Sequence, residues 1–302
     1  MTFKEFENVV LDYCKNNLSS DFTIRTSDVR KNNGIILKGL SAMQDGRYAA
    51  PTIYLNDFYS RLLAGTNLEE ILKECVRIIE NPDFGPIEEL DFMSDYDKAK
   101  DRVYYKLINT EKNRVTLENI PHLNFLDLSI VFYVVVSCGS GDTGTILINN
   151  QILSGFHVTL DKLFEDAKLN TIKKLKSVIK PIEEILTDLH ATVEGEEDLS
   201  ICSDDEGNSF MYVLTNSKKL NGAACILDKE MLMNFANSKH TDFYIIPSSI
   251  HEVILVPSRD EISREALREM IRQVNSTEVE PMEVLSDSLY MFKRNVGRVV
   301  CI

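Results

Sequence analysis

The six cysteines of this 302-residue chain (Cys14, Cys75, Cys138, Cys202, Cys225 and Cys301) include no C-x-x-C pair. Thiolate zinc sites need closely spaced pairs to build a tetrahedron, so the spacing argues against one. Long apolar runs are missing too. The longest, Ile130 to Val136, falls far short of the roughly 20 residues that span a bilayer. The first residues are charged and amphipathic, with Lys4 and Glu5 between Phe3 and Phe6, and do not read as a secretory leader. Reduced thiols in a cytoplasm are therefore the expected setting. Basic charge is scarce: 47 acidic residues against 33 basic ones give a net charge of -14. Such a surface repels nucleic-acid backbones and anionic membranes, so neither is an expected partner.

An apolar fraction of 44% is ordinary for a globular protein and sufficient for a sizeable core. The length allows two domains or one large one. Phe3, Phe6, Val9, Val10, Tyr13 and Cys14 recur at helical spacing and predict an opening amphipathic helix. Phe22 to Arg25 and Ile35 to Leu40 read as strands around the turn Asn32-Asn33-Gly34. Helices are expected over Ile53 to Leu63 and Leu68 to Ile79, ended by Asn81-Pro82.

Further along, Val103 to Ile108, Leu126 to Ser137 and Thr145 to Ile148 read as strands. Helices follow from Thr159 and from Pro181. The last third predicts strands at Phe210 to Leu214 and Ala223 to Leu227, then a helix capped by Asp228. A hairpin over Phe243 to Val256 comes next, and Ser258 with Glu261 has capping-box spacing ahead of another helix. A final hairpin closes the pattern at Leu289 to Phe292 and Arg298 to Ile302.

The fold class that follows is α+β, with mixed, mostly antiparallel sheets and helices packed on one face. Stretches rich in Pro, Gly and acids suggest subdomains at 1–97, 98–195 and 196–302. No residue-level repeat is present.

Many short segments in order resemble a family of unknown function from low-GC Gram-positive gut bacteria. They include Pro51-Thr52-Ile53-Tyr54-Leu55, Phe125-Leu126-Asp127-Leu128-Ser129-Ile130, Tyr212-Val213-Leu214-Thr215-Asn216 and Ile246-Pro247-Ser248-Ser249-Ile250-His251-Glu252. The resemblance spans nearly the whole chain. It implies a bacterial cytoplasmic protein of mobile-element or phage-like regions, and it assigns no catalytic residue.

The segment Pro247-Ser248-Ser249-Ile250-His251-Glu252 sets polar groups between two apolar strand-like runs. Polar groups placed there must be hydrogen-bonded or they destabilise the fold. Ser249, His251 and Glu252 are thus candidates for a nucleophile, a base and an orienting carboxylate. If the segment is a strand, Ser249 and His251 share a face and Glu252 points away. A triad would then need a carboxylate from elsewhere. His122 and Asp127, beside the core strand Leu126 to Ser137, form a second polar spot.

Gly139-Ser140-Gly141-Asp142-Thr143-Gly144 fits G-x-G-x-x-G. The dinucleotide reading of Gly139, Gly141 and Gly144 needs a helix after the last glycine. Thr145 to Ile148 reads as a strand instead, so a hairpin is expected. No Lys-Ser or Lys-Thr follows, which excludes a Walker loop, and no G-x-S-x-G elbow occurs. Tyr54, Asn56, Asp57, Tyr59 and Arg61 offer a polar helix face.

No cofactor and no metal site is expected. The leading functional expectation is a non-enzymatic cytoplasmic protein that binds a protein partner. The first alternative is a hydrolase or transferase with His251 as general base. The second is nucleotide binding at the glycine-rich loop.

Overall fold

Thr2 sets where the chain begins to coil. In the computed structural model, which describes residues 1–44, 52–81, 91–138, 142–190, 209–258 and 263–302, its hydroxyl accepts the Glu5 N–H at 3.3 Å. The Glu5 carboxylate accepts the Thr2 N–H at 2.7 Å in return. This reciprocal capping box starts helix α1 (Phe3–Asn17).

The chain divides into two compact units, residues 1–91 with 135–145 and residues 92–134 with 146–302. In the first, β1 (Phe22–Arg30) and β2 (Ile36–Gln44) pair antiparallel from Phe22↔Gln44 to Arg30↔Ile36. Their turn is the expected Asn32-Asn33-Gly34, with Asn33 at φ +59° and Gly34 at φ +72°. Asn and Gly tolerate that left-handed region where most residues do not.

A single helix was expected from Ile53, but Thr52–Tyr54 is a strand, β3, paired on β2 through Leu40↔Ile53. Helix α2 (Leu55–Leu63) follows it, and α3 (Leu68–Glu80) is capped by the Asn67 side chain. Ile53 gains burial beside Leu40 and Ala42 on the face where Phe6, Val10 and Ile71 of the helices pack. That packing overrides its helical spacing.

The second unit contains α4 (Tyr96–Ala99), β4 (Val103–Asn109), α5 (Arg114–Leu117), β5 (His122–Phe125), β6 (Leu128–Cys138) and β7 (Asp142–Leu147), the last two running on into the first unit. After them come α6 (Asn150–Phe156), α7 (Leu160–Lys174), β8 (Ser177–Pro181), α8 (Ile182–His190), β9 (Tyr212–Asn216) and α9 (Lys229–Lys239). The chain ends with β10 (Phe243–Ile246), β11 (Val253–Pro257), α10 (Arg264–Thr277), β12 (Tyr290–Lys293) and β13 (Arg298–Cys301). One sheet has the order β4-β6-β5, with β7 also on β6; the other runs β13-β12-β10-β11-β9-β8. The registered strand pairs are antiparallel, as expected for this α+β fold.

β10 explains why one short run can be wholly apolar. Phe243 stacks on Phe292 at 5.2 Å and meets the ring of Phe235 from α9 edge-on at 5.1 Å. Tyr244 and Ile246 cluster instead with Leu267 and Ile271 of α10. With both faces covered, no polar alternation is needed. The six-stranded sheet also joins β8, from the stretch expected at 98–195, to strands expected in 196–302. Of these two stretches, residues 98–134 and 146–302 lie in the second unit and 135–145 in the first.

Three local expectations are corrected. Residues 222–227 form a buried 3₁₀ segment, Gly222–Leu227, where a strand over Ala223 to Leu227 was expected. Pro181 ends a strand, and α8 starts after it at Ile182. The cap of α10 is Ser263, whose hydroxyl accepts the Ala266 N–H at 3.3 Å. Ser258 instead donates its N–H to the Asp242 carbonyl at 2.8 Å, and Glu261 lies outside the described residues.

Candidate functional site

The connection between β10 and β11 is held by its own backbone. Ile250 donates its N–H to the Glu283 carbonyl at 2.8 Å, Leu285 donates to the Ser248 carbonyl at 3.2 Å, and Ser286 to the Pro247 carbonyl at 3.0 Å. On the other side Ala223 donates to the Ile250 carbonyl at 3.2 Å. Residues 247–252 are therefore a stapled connection and not a strand, so the expected alternation of faces does not govern them. The Ser249 hydroxyl turns back and accepts the His251 N–H at 3.0 Å.

His251 Nδ1 lies 3.3 Å from the Asn221 backbone nitrogen, whose N–H points at it. An amide N–H can only donate, so Nδ1 is the acceptor and the neutral imidazole carries its proton on Nε2. Nε2 faces Glu283 Oε1 at 3.4 Å, with the two side chains 22% and 45% exposed. The carboxylate that meets His251 is thus Glu283. No hydrogen bond or ion pair joins the imidazole to Glu252 or to Asp127 among the described residues. With Nδ1 engaged and Nε2 protonated, no imidazole lone pair is available to Ser249.

Asp127 forms the second centre. It lies in the two-residue loop between β5 and β6, beside Leu126 at φ +56°. Its carboxylate accepts from Ser286 Oγ at 2.6 Å, from Ser288 Oγ at 3.0 Å and from the Tyr290 hydroxyl. Burial, reinforced by that bond, pushes the Tyr290 phenol far above its ordinary range. Behind it Asn275 Nδ2 donates to the Ser286 carbonyl at 3.0 Å and to Asp287 Oδ1 at 2.8 Å. A leucine at positive φ is strained; the three hydroxyl donors hold the loop there.

His122 is not part of either centre. It sits in β5 opposite Val131, and its Nδ1 donates to the Ile120 carbonyl at 3.0 Å. No group of three or more His, Cys, Asp or Glu among the described residues is placed to hold a metal ion. In the glycine-rich loop, Gly139 and Gly141 lie outside the described residues, and Gly144 lies within β7, which runs on to Leu147 where the dinucleotide motif would start a helix. The polar face around α2 is committed to its own unit. Arg61 forks onto Glu74 at 2.7 and 3.0 Å, Asn56 accepts the Lys38 N–H at 2.8 Å, and Tyr59 donates to the Met1 carbonyl at 2.9 Å.

A groove of about 640 Å³ lies between α7 and the start of α9. Ile172, Leu227, Met231 and Met233 line it together with the polar Lys168, Asp228, Lys229, Glu230 and Asn234. Ile172 is 38% exposed, and Leu169 beside it on α7 is 53% exposed. Asp228, also in its lining, caps α9 by accepting the Met231 N–H at 3.1 Å and accepts Ser177 Oγ at 3.2 Å.

Over residues 3–294 the sequence matches the model of DUF5688, a family of unknown function. The chain belongs to that family. No curated protein and no solved structure matches it. The DUF5688 match takes in Asp127, His251, Glu283 and the α7–α9 groove, and stops short of β13.

Several residues that define the two centres of this DUF5688 chain escaped sequence reasoning. Asn221, Glu283, Ser286, Ser288 and Tyr290 reach their partners across 30 to 163 positions. The one signal that could have found the last three is the polar run Ser286-Asp287-Ser288 placed directly before the apolar Leu289 to Phe292.

Proposed function

We propose that this DUF5688 protein is non-enzymatic and acts in the bacterial cytoplasm, in a mobile-element setting, by binding a protein partner. The observation that carries the reading is the α7–α9 groove, where the exposed Ile172 lines the same concavity as Met231 and Met233. Scattered surface hydrophobics are ordinary, but here Ile172 lines a concave surface with Leu227, Met231 and Met233. Methionine side chains are flexible and polarizable and suit adaptable contacts. No helix among the described residues is long and apolar enough to cross a membrane. The acidic exterior, at net charge -14, disfavours nucleic acid as the occupant.

The competing reading, a hydrolase or transferase with His251 as general base, has Glu283 beside Nε2 in its favour. It has against it the Asn221 N–H on the other nitrogen and the absence of a bond from Ser249 to the ring among the described residues. A general base needs a lone pair within reach of the proton it takes.

The test compares the parent protein with Ile172→Glu and Met233→Glu in pull-downs from a host lysate, with size-exclusion chromatography alongside. The reading expects a discrete partner retained by the parent and lost by both variants. A parent that stays alone and monomeric, or a partner retained equally by the variants, contradicts it.

A further inference from the structure

We propose that the free edge of β1 takes up an extended, acidic strand of a partner protein. This surface belongs to the first unit, and the observations that carry it are independent of the α7–α9 groove. β1 is the end strand of a sheet with the order β1-β2-β3, and among the described residues it pairs with β2 alone. An end strand presents a row of N–H and C=O groups that another strand can meet. Recognition by strand addition draws its affinity from those main-chain bonds.

The register fixes which groups they are. Lys31 donates its N–H to the Ile35 carbonyl at 2.7 Å, one position beyond the pair Arg30↔Ile36. Bonded and non-bonded pairs alternate along an antiparallel ladder. Val29, Ser27, Arg25 and Thr23 therefore bond to β2, while Arg30, Asp28, Thr26, Ile24 and Phe22 turn their main-chain groups outward. Lys38, opposite Asp28, agrees with this. Its N–H points away from β1 and meets Asn56 Oδ1 at 2.8 Å. The Phe22 N–H goes to the Ser19 carbonyl at 3.2 Å. The free donors of the edge among the described residues are thus those of Ile24, Thr26, Asp28 and Arg30.

Charge names the occupant. In a chain of net charge -14, β1 carries Arg25 and Arg30, both exposed, and neither has an ion pair or side-chain hydrogen bond among the described residues. The carboxylate of the strand, on Asp28, is neutralised by the Lys38 ammonium. Residues directly opposite across two strands interact, and opposite charges there are stabilising. Arg25 and Arg30 are five positions apart and so lie on opposite faces. The matching strand carries two carboxylates at that same spacing. A second copy of β1 would instead bring two more arginines to the edge, which disfavours self-pairing.

Residue-resolved amide hydrogen exchange on the full chain tests the proposal. The probe is a Thr/Val peptide of the same nine-residue length as β1, with two glutamates five positions apart. Without it, Ile24, Thr26, Asp28 and Arg30 should exchange rapidly while Arg25, Ser27 and Val29 are protected by β2. The glutamate peptide should raise protection of the first four by about tenfold or more. A peptide with lysines in place of the glutamates should not. Arg25→Glu combined with Arg30→Glu should weaken the glutamate peptide about tenfold and let the lysine peptide bind. Asp28→Pro removes an outward N–H and leaves the β2 ladder whole, so it should melt like the parent and lose the peptide. If the four amides are already protected without peptide, the edge is paired by its own chain or by a second copy, and the proposal is overturned. Equal binding of the two peptides, or added protection from neither, overturns it as well.

Discussion

His251 meets Glu283 at 3.4 Å, on the far side of its ring from the Asn221 N–H that its Nδ1 accepts. Truncating the ring leaves a buried backbone donor without its acceptor, which typically costs 1–3 kcal/mol. His251→Ala should therefore lower stability by about 1–2 kcal/mol in urea unfolding. Glu252→Ala, which removes no described bond, should stay within about 0.5 kcal/mol. Equal losses for the two would mean that the connection is held by something other than the His251 clamp.

Asp127 predicts a larger effect. Its loss strands three hydroxyl donors, two of them on the buried residues Ser286 and Tyr290. Asp127→Ala should cost about 2–4 kcal/mol and Tyr290→Phe about 1 kcal/mol. Alkali adds a second reading. Because the folded phenol of Tyr290 is raised by burial and by Asp127, the folded state keeps a proton that the unfolded chain gives up above roughly pH 10. Stability should fall as pH rises beyond that point, and less steeply in Tyr290→Phe. Parallel alkaline limbs in the two proteins would contradict this.

Gly222 tolerates no side chain. A Cβ would sit 2.2 Å from Thr215 Oγ1, 2.4 Å from the His251 carbonyl oxygen and 2.8 Å from the Asn216 nitrogen, the last two being backbone atoms. Gly222→Ala should destabilise by about 3 kcal/mol or fail to fold. Gly155→Ala, with nothing within 4 Å of the new atom and a helical position in α6, should be neutral to stabilising by up to about 1 kcal/mol. Thermal melts of the pair check the contrast.

Thiol reactivity divides sharply. Burial pushes Cys14 and Cys225 up to about 11 and Cys75 up to about 12, and the nucleophile is the thiolate. Cys301 is exposed on the edge strand β13. Iodoacetamide on the native protein, read peptide by peptide, should modify Cys301 rapidly and the three buried thiols only after unfolding. Rapid labelling of Cys75 would place a gap in the helical core of the first unit.

Strong local signals made much of the fold legible. The opening helix, the Asn32-Asn33-Gly34 turn, the Asp228 cap and the β10–β11 hairpin all rest on neighbouring residues, and each stands where it was expected. Residues 222–227 were misread because a short apolar run carries no period that separates strand from a buried 3₁₀ turn. What decides there is the close approach of His251 to Gly222, which is tertiary. Ile53 was misplaced for the same reason, its strand pairing with Leu40 outweighing its helical spacing. At the candidate site, Ser249, His251, Glu252 and Asp127 stood out as polar residues in apolar surroundings. Their partners did not, since Glu283 lies 32 positions from His251 and Tyr290 lies 163 from Asp127. The groove was equally silent, because the spacing of Leu160, Leu163, Phe164 and Ala167 marks α7 without saying that Leu169 and Ile172 stand exposed on it.

The most direct test of partner binding is site-specific photocrosslinking from the α7 surface next in sequence to the groove residues Lys168 and Ile172. A photoreactive residue at Leu169 should give a discrete adduct with one protein in the host cell, while the same residue at the exposed Val115 on α5 gives none. Ile172→Glu in the same chain should abolish the adduct. No adduct from position 169, or the same pattern from both positions, would contradict the account.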